Sequence, residues 1–334
     1  MVQSAPQNLE KAKSEFSGMN KKINLVRKEI NSLVFGQEEV IDQILISILA
    51  GGHALLIGLP GLAKTRIVNL LSIILGLETK RIQFTPDLMP ADILGSEILE
   101  EKMNSIKGFK FLKGPVFSQL LLADEINRAN PRTQSALLQS MEEKKVTIMG
   151  TNHDLPKPFH VLATQNPIDQ EGTYPLPEAQ LDRFLMNIKI SYPNKSSELK
   201  ILELSTDSLE KDPNNIISFE ELLRVQYLIK ELPVGESVIK YILEIISNSR
   251  PESTSVDSVK KNILWGPSPR ASLALLSSCR AKAFLDNRFS PSIFDVQSLI
   301  KPILIHRMNL NISAKSEGIK INEILNDVID NIEY

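Results

Sequence analysis

Two hydrophobic periods alternate through the first half of the chain, and only one of them continues through the second. Ala54-Leu55-Leu56-Ile57 and Leu120-Leu121-Leu122-Ala123 are short unbroken apolar runs, the pattern of strands buried on both faces of a parallel sheet. Arg81 to Phe84 and Leu185 to Ile190 read as further strands. Between these runs apolar residues return at helical spacing: Val40, Ile41, Ile44, Leu45 and Ile48; then Ile67, Leu70, Leu71, Ile74 and Leu75, closed by Gly76. Asn130-Pro131 supplies a cap and first-turn proline for a helix through Met141. Strands alternating with helices predict an α/β fold, a parallel sheet flanked by helices.

Two interruptions predict hairpins. Ser96 to Glu100 and Gly108 to Leu112 are strand-like on either side of a polar tip at Lys102 to Lys107. Val146 to Met149 and Phe159 to Ala163 flank the loop Thr151 to Pro158. Ser191-Tyr192-Pro193-Asn194 marks a boundary, after which the pattern is helical: Glu198 to Leu209, Phe219 to Glu231, Val238 to Ser247, Arg270 to Asp286, Ser292 to His306, and a last amphipathic stretch from Ile321 to Ile332. The expected division is an N-terminal helical segment over 1–34, lysine-rich on a solvated face, an α/β core over 35–192, and an all-α lid over 193–334.

The chemistry lies where apolar runs end. Gly58-Leu59-Pro60-Gly61-Leu62-Ala63-Lys64-Thr65 joins a predicted strand to a predicted helix, where free backbone N–H groups and the helix dipole favour a bound anion. Lys64 can reach the outer phosphates of ATP and Thr65 can hold Mg²⁺. The general pattern has glycine where this chain has Ala63. Alanine fits if φ there is negative, with Gly61 beside it to take any left-handed conformation. Asp124 and Glu125 end the second buried run; Asp124 could reach Mg²⁺ through water while Glu125 faces an attacking water. Asn166, at the end of another strand, is suited to orient that water. The Phe35-Gly36 turn is placed to pack on the nucleotide base. Arg183, taken alone, reads as a surface ion-pair residue.

Composition narrows the alternatives. The chain has 334 residues, with 38 Lys and Arg against 40 Asp and Glu, so no global basic field argues for nucleic acid or an anionic membrane. One cysteine, Cys279, excludes an intrachain disulfide, and the four histidines show no metal-ligand spacing. Met1 to Asn20 lacks the apolar core of a signal peptide, and the longest apolar tract, Ile44 to Leu59, is cut by Gly51, Gly52 and His53. A cytoplasmic protein without membrane insertion is expected.

In order and spacing these motifs resemble an AAA+ ATPase of the MoxR family, from about Phe35 onward. Members of that family carry alanine before the Lys-Thr of the phosphate loop. Asp124-Glu125-Ile126-Asn127-Arg128 resembles the Walker B motif, Ala163-Thr164-Gln165-Asn166-Pro167 sensor 1, Leu176 to Phe184 the arginine-finger segment, and Gly266-Pro267-Ser268-Pro269-Arg270 sensor 2. The resemblance implies a P-loop NTPase core with pore-lining hairpin insertions and an α-helical lid. It implies a hexameric ring with ATP and Mg²⁺ between subunits, Arg183 reaching a neighbour's site, and Arg270 reporting the γ-phosphate to the lid. It further implies chaperone-like maturation of a client protein, unnamed by the sequence, beside a von Willebrand factor A-domain partner. The rival readings are a nucleic-acid-translocating AAA+ motor, disfavoured by the near-neutral charge, and a nucleotide-gated scaffold with little turnover, disfavoured by an intact Glu125 and Arg183.

Overall fold

The structure, a computed structural model, describes residues 4–102, 106–168, 172–206 and 213–332. Its strands are β1 (Ala54–Ile57), β2 (Thr79–Gln83), β3 (Gly95–Lys102), β4 (Ile106–Lys113), β5 (Leu120–Asp124), β6 (Lys145–Ile148), β7 (Thr151–Asp154), β8 (His160–Gln165), β9 (Met186–Lys189), β10 (Ile263–Trp265) and β11 (Asn309–Leu310). The helices of the first half are α1 (Ser4–Leu33), α2 (Glu38–Leu49), α3 (Lys64–Ile74), α4 (Pro90–Leu94), α5 (Pro131–Glu143) and α6 (Glu178–Leu181). Those of the second are α7 (Lys195–Thr206), α8 (Phe219–Lys230), α9 (Glu236–Asn248), α10 (Asp257–Asn262), α11 (Pro269–Leu285), α12 (Ile293–Leu304), α13 (Ile312–Ser316) and α14 (Ile321–Asp330).

Five strands form one sheet in the order β2-β5-β8-β1-β9, every neighbouring pair parallel. Alternate side chains enter opposite cores: Leu56, Leu120, Leu122, Leu162 and Met186 on one face, Leu55, Leu121, Ala123, Val161 and Ala163 on the other. Burial on both faces is why these strands read as unbroken apolar runs. Because β1 lies between β8 and β9, the segments leaving β1, β5 and β8 emerge side by side at one edge, the usual place for a ligand in such a sheet.

The helical C-terminal region packs around α11. Ala271, Ala274, Leu275, Cys279, Ala281 and Phe284 are buried, and the small side chains let α12, α9 and α8 approach. The first helix binds the two halves together. Phe16 meets Phe284 edge-on at 4.9 Å between centroids and the Asn20 amide donates to the Phe284 carbonyl, while Arg27 Nε pairs with Asp42 Oδ1 on α2 at 2.6 Å.

The first expected hairpin forms with Gly95 opposite Lys113 and Lys102 opposite Ile106; part of its expected tip lies outside the described residues, as does the end of the helix expected through Leu209. The second differs from expectation. Lys145–Ile148 pairs with Thr151–Asp154, expected as loop, across a turn in which Met149 and Gly150 have φ of 46° and 81°. Two successive left-handed residues make the tight turn that suits a twisted hairpin. Its return strand, Thr-Asn-His-Asp, carries no apolar signal, and the Phe159–Ala163 run joins the main sheet as β8. In the helical region an antiparallel β10–β11 pair and the short α10 and α13 were also not expected.

Three histidines are buried at the edge where the strands begin. The Val161 N–H donates to His53 Nδ1 at 2.9 Å, so Nε2 carries the proton and faces the Met141 carbonyl at 3.2 Å. His160 Nδ1 meets the Gly52 carbonyl at 2.8 Å, and its Nε2 accepts from Gln226 on α8 at 3.1 Å. His306 Nε2 meets the Phe184 carbonyl at 3.1 Å. Burial pushes all three down, to about 3 for His53 and His306 and about 4 for His160. The unfolded chain therefore binds more protons, and stability held above pH 6.5 is lost as pH falls toward these values. Each histidine should add about 1.4 kcal/mol per pH unit to the slope. Urea unfolding at pH 7, 6 and 5 should show the decline, and His160→Gln should flatten it by one histidine's share; an unchanged slope would mean that His160 is not held neutral.

Candidate functional site

β1 ends at Ile57 and α3 begins at Lys64, so Gly58 to Ala63 form the predicted loop between strand and helix. A Cβ on Gly58 would lie 2.9 Å from the Ile190 carbonyl oxygen, so only glycine lets the loop pass this close to the segment leaving β9. Lys64 is nearly buried and its Nζ donates to the Gly58 carbonyl at 2.7 Å, folding the side chain back over the loop. Thr65 is half-buried in the first turn of α3. Pro60 and Gly61 are exposed, Leu62 is buried, and Gly61 has φ of 82°.

Ala63 corrects the sequence reading. It caps α3 with φ 57° and ψ 18°, left-handed rather than at the expected negative φ. Gly61 does not absorb the left-handed turn alone. Both residues take it, because the chain must reverse from loop to helix within a few residues.

The acids sit two strands away. Asp124 ends β5 and is buried; its Oδ1 accepts from the Thr164 hydroxyl at 2.5 Å and its Oδ2 from Arg81 on β2 at 2.7 Å. Glu125 follows in a left-handed conformation, φ 55° and ψ 50°. Its amide donates to Thr164 Oγ1 at 2.9 Å, and its Oε2 accepts from Gln83 at 2.8 Å and Arg128 at 3.0 Å. The left-handed residue breaks the strand's alternation, leaving Asp124 buried on Thr164 and Arg81 and Glu125 half-buried on Gln83 and Arg128. Asn166, just beyond β8, is also buried, and its Oδ1 accepts from the Ile168 amide at 3.2 Å. The sheet thus brings Lys64, Thr65, Asp124, Glu125 and Asn166 to one edge, on the ends of the adjacent strands β1, β8 and β5.

Sequence reasoning gave no individual role to Thr164, Arg81 or Gln83. Thr164 is fully buried and touches both acids, so it sets their spacing. Arg81 and Gln83 become neighbours of the acids only because β2 pairs with β5, with Gln83 opposite Asp124.

Beside the loop a cleft of ≈370 Å³ is lined by Gly58, Leu62, Asn187, Ile190, Tyr192 and, from the helical region, Ile305. Its size and mostly apolar wall suit a nucleoside. Phe35 and Gly36 do not line it. Gly36, φ 72°, sits where a Cβ would be 2.8 Å from Pro193 and Ser197, and the next residue, Gln37, donates from Nε2 to the carbonyl of Ser191, which lines the cleft, at 2.9 Å.

Arg183 and Arg270 lie elsewhere, and together. α5 runs back along the sheet, so Glu142 near its end is at the edge where strands begin, next to Met141, whose carbonyl faces His53. Arg183, just before β9, pairs with Glu142 Oε2 at 2.9 Å and donates to the Leu138 carbonyl at 2.7 Å. Arg270, at the start of α11, pairs with Glu142 Oε1 at 2.6 Å. Arg270 was expected to report the γ-phosphate to the lid. The parallel sheet separates it from Lys64, and α11 delivers it to Arg183 instead.

Comparison with known proteins places the chain in a family. Residues 53–186 match the profile of the ATPase family associated with various cellular activities (AAA), and residues 257–328 match an AAA lid domain. Chaperone MoxR1 of Mycobacterium tuberculosis is 38% identical over 91% of this chain and 80% of its own. YeaC of Bacillus subtilis, itself uncharacterised, is 39% identical over 92% of each chain. A crystal structure from Cytophaga hutchinsonii, of a protein provisionally assigned as an ATPase, superposes with a TM-score of 0.91 at 40% identity, over 98% of each chain.

The left-handed Ala63 generates a stability prediction. A left-handed alanine carries about 1–2 kcal/mol of strain, and replacing it by glycine frees about 0.4–1 kcal/mol of unfolded-chain entropy in opposition. Ala63→Gly should therefore leave the unfolding free energy equal or higher in urea titration. A loss approaching 1 kcal/mol is the result for a right-handed alanine, and would contradict the observed φ.

Proposed function

Given that the chain belongs to the MoxR family of AAA+ ATPases, we propose that it hydrolyses ATP at sites completed between subunits of a ring. The observation that carries this reading is the meeting of Lys64, Asp124, Glu125 and Asn166 at one sheet edge, while Arg183 and Arg270 share Glu142 at the other. The residues present fit the substrate and its metal. A nearly buried lysine lies over the loop with its Nζ on the Gly58 carbonyl, and the buried Asp124 carboxylate is paired with a cation, Arg81, at 2.7 Å. Lys64 and the loop amides would hold phosphates, and Thr65 and Asp124 would hold Mg²⁺. When bound, Mg²⁺ supplies charge neutralisation between the outer phosphates. Glu125 polarises the attacking water, Asn166 orients it, and Thr164 keeps the two acids at their spacing.

Arg183 and Arg270 meet at Glu142, at the opposite edge of the sheet from Lys64. They would stabilise charge on a γ-phosphate held by a neighbour. The resemblance to MoxR-type proteins supports a hexamer, a chaperone-like role on a client protein, and a von Willebrand factor A-domain partner. Exposed apolar residues on the hairpins favour client contact: Met149, 83% exposed at the β6–β7 turn, and Phe109, 75% exposed on β4.

Glu125→Gln should bind Mg-ATP with a Kd within about threefold of wild type while turnover falls at least about a hundredfold. Lys64→Ala should lose binding itself. Retained turnover in Glu125→Gln would remove that carboxylate from the reaction.

Arg183→Ala should lose about a thousandfold in turnover at unchanged affinity. Mixed with Glu125→Gln subunits, either Arg183→Ala or Arg270→Ala should regain activity, because one interface then joins an intact arginine pair to an intact water site. Mixtures that co-assemble yet stay inactive would show that the arginines do not act between subunits. Recovery with Arg183→Ala alone would return Arg270 to its own subunit's site.

A further inference from the structure

The backbone that carries Arg183 is gripped by a buried cation of the lid. Arg307, 3% exposed, follows α12, and its Nε donates to Asp182 Oδ1 at 2.7 Å. Nη2 donates to the Phe184 carbonyl at 2.7 Å and the Asp182 carbonyl at 3.2 Å; Nη1 donates to the Leu185 carbonyl at 3.2 Å and to the Ile303 carbonyl at the end of α12 at 2.5 Å. Four of these bonds end on Asp182, Phe184 and Leu185, the three residues that flank Arg183. The same segment takes two more bonds from the lid, His306 Nε2 to the Phe184 carbonyl at 3.1 Å and Ser268 Oγ to Asp182 Oδ2 at 3.1 Å.

We propose that Arg307 is a positioning residue that fastens the Arg183 segment to the lid, so that Arg183 and Arg270 are presented to a neighbouring subunit as one rigid pair. The chemistry favours this over a general packing role. A fully desolvated guanidinium is costly to bury, and a single carboxylate partner would have been enough to neutralise it. Here its planar fork is spread over the carbonyls on both sides of Arg183, geometry that a lysine ammonium cannot reproduce. Ser268, the lid residue bonded to Asp182, is two positions before Arg270, so the lid holds both arginines through adjacent contacts. A displacement of about 1 Å at a charge-stabilising group is enough to cost a hundredfold in rate.

This inference rests on the reading that Arg183 acts on a neighbour's nucleotide, and mixing experiments on the full-length assembled protein separate the two. Arg307→Lys keeps the charge, and Asp182→Asn keeps the shape while weakening the charge-assisted bond; the second serves if the first does not fold. With Mg-ATP as substrate, kcat should fall at least about tenfold while KM and the Kd for ATP stay within about twofold. Mixing with Glu125→Gln subunits should restore turnover, as it should for Arg183→Ala; a structural defect alone would not be rescued by a partner whose only intact contribution is its arginine pair. The inference is overturned if the folded variants turn over at the wild-type rate. It is equally overturned if they lose activity without recovery while Arg183→Ala does recover. If Arg183→Ala itself fails to recover, the inter-subunit reading falls and this inference with it.

Discussion

A parallel sheet buried on both faces leaves its polar chemistry nowhere but the strand ends. The three central strands, β5, β8 and β1, are buried almost throughout and pair on both sides, while the edge strand β2 is largely polar. At the edge where strands finish stand Lys64, Asp124, Glu125 and Asn166. At the edge where they begin stand the neutral histidines and the Glu142-linked arginines. One edge holds what could bind and attack a phosphate, and the other holds the cations that would stabilise the charge that develops. A single subunit cannot fold one edge onto the other, and two subunits placed edge to edge can combine them.

What was legible in the sequence follows the same division. The buried strands and their terminal motifs could be read because each is contiguous: Gly58 to Thr65 and Leu120 to Glu125 carry period and chemistry within a few residues. The β6–β7 hairpin was misplaced because β7 is polar throughout and its turn, Met149-Gly150, is only half marked by glycine. Thr164, Arg81 and Gln83 acquire meaning from strand order, which no local pattern encodes. The meeting of Arg270 with Glu142 and Arg183 could not be read, because it depends on how α11 packs, and alanines spaced along a helix do not say which edge of a sheet its first turn will meet. Ala63 was given the wrong sign of φ because residue type is a weaker constraint than the reversal the loop must make.

The lid is attached to the sheet mainly at the edge where strands begin. Gln226 bonds the Ile48 carbonyl and His160, Ser268 and Arg307 hold Asp182, and Arg270 pairs with Glu142. Toward the nucleotide cleft it offers Ile305, an apolar side chain on the wall. Ile305 and Arg307 are two residues apart, so the wall of one subunit's cleft and the grip on its arginine segment are continuous in covalent structure. The first helix adds a second tie between the halves through Phe16, Asn20 and Arg27.

Glu125 sits in a backbone conformation that a side chain of its kind adopts only at a cost. The residues most at ease there are glycine and asparagine, neither of which can polarise water. On the role proposed for Glu125, stability and turnover pull in opposite directions at one position: a substitution that relaxes the backbone would give a sturdier protein that holds nucleotide without consuming it. A single downhill substitution would then separate an engine from a passive nucleotide-dependent clamp.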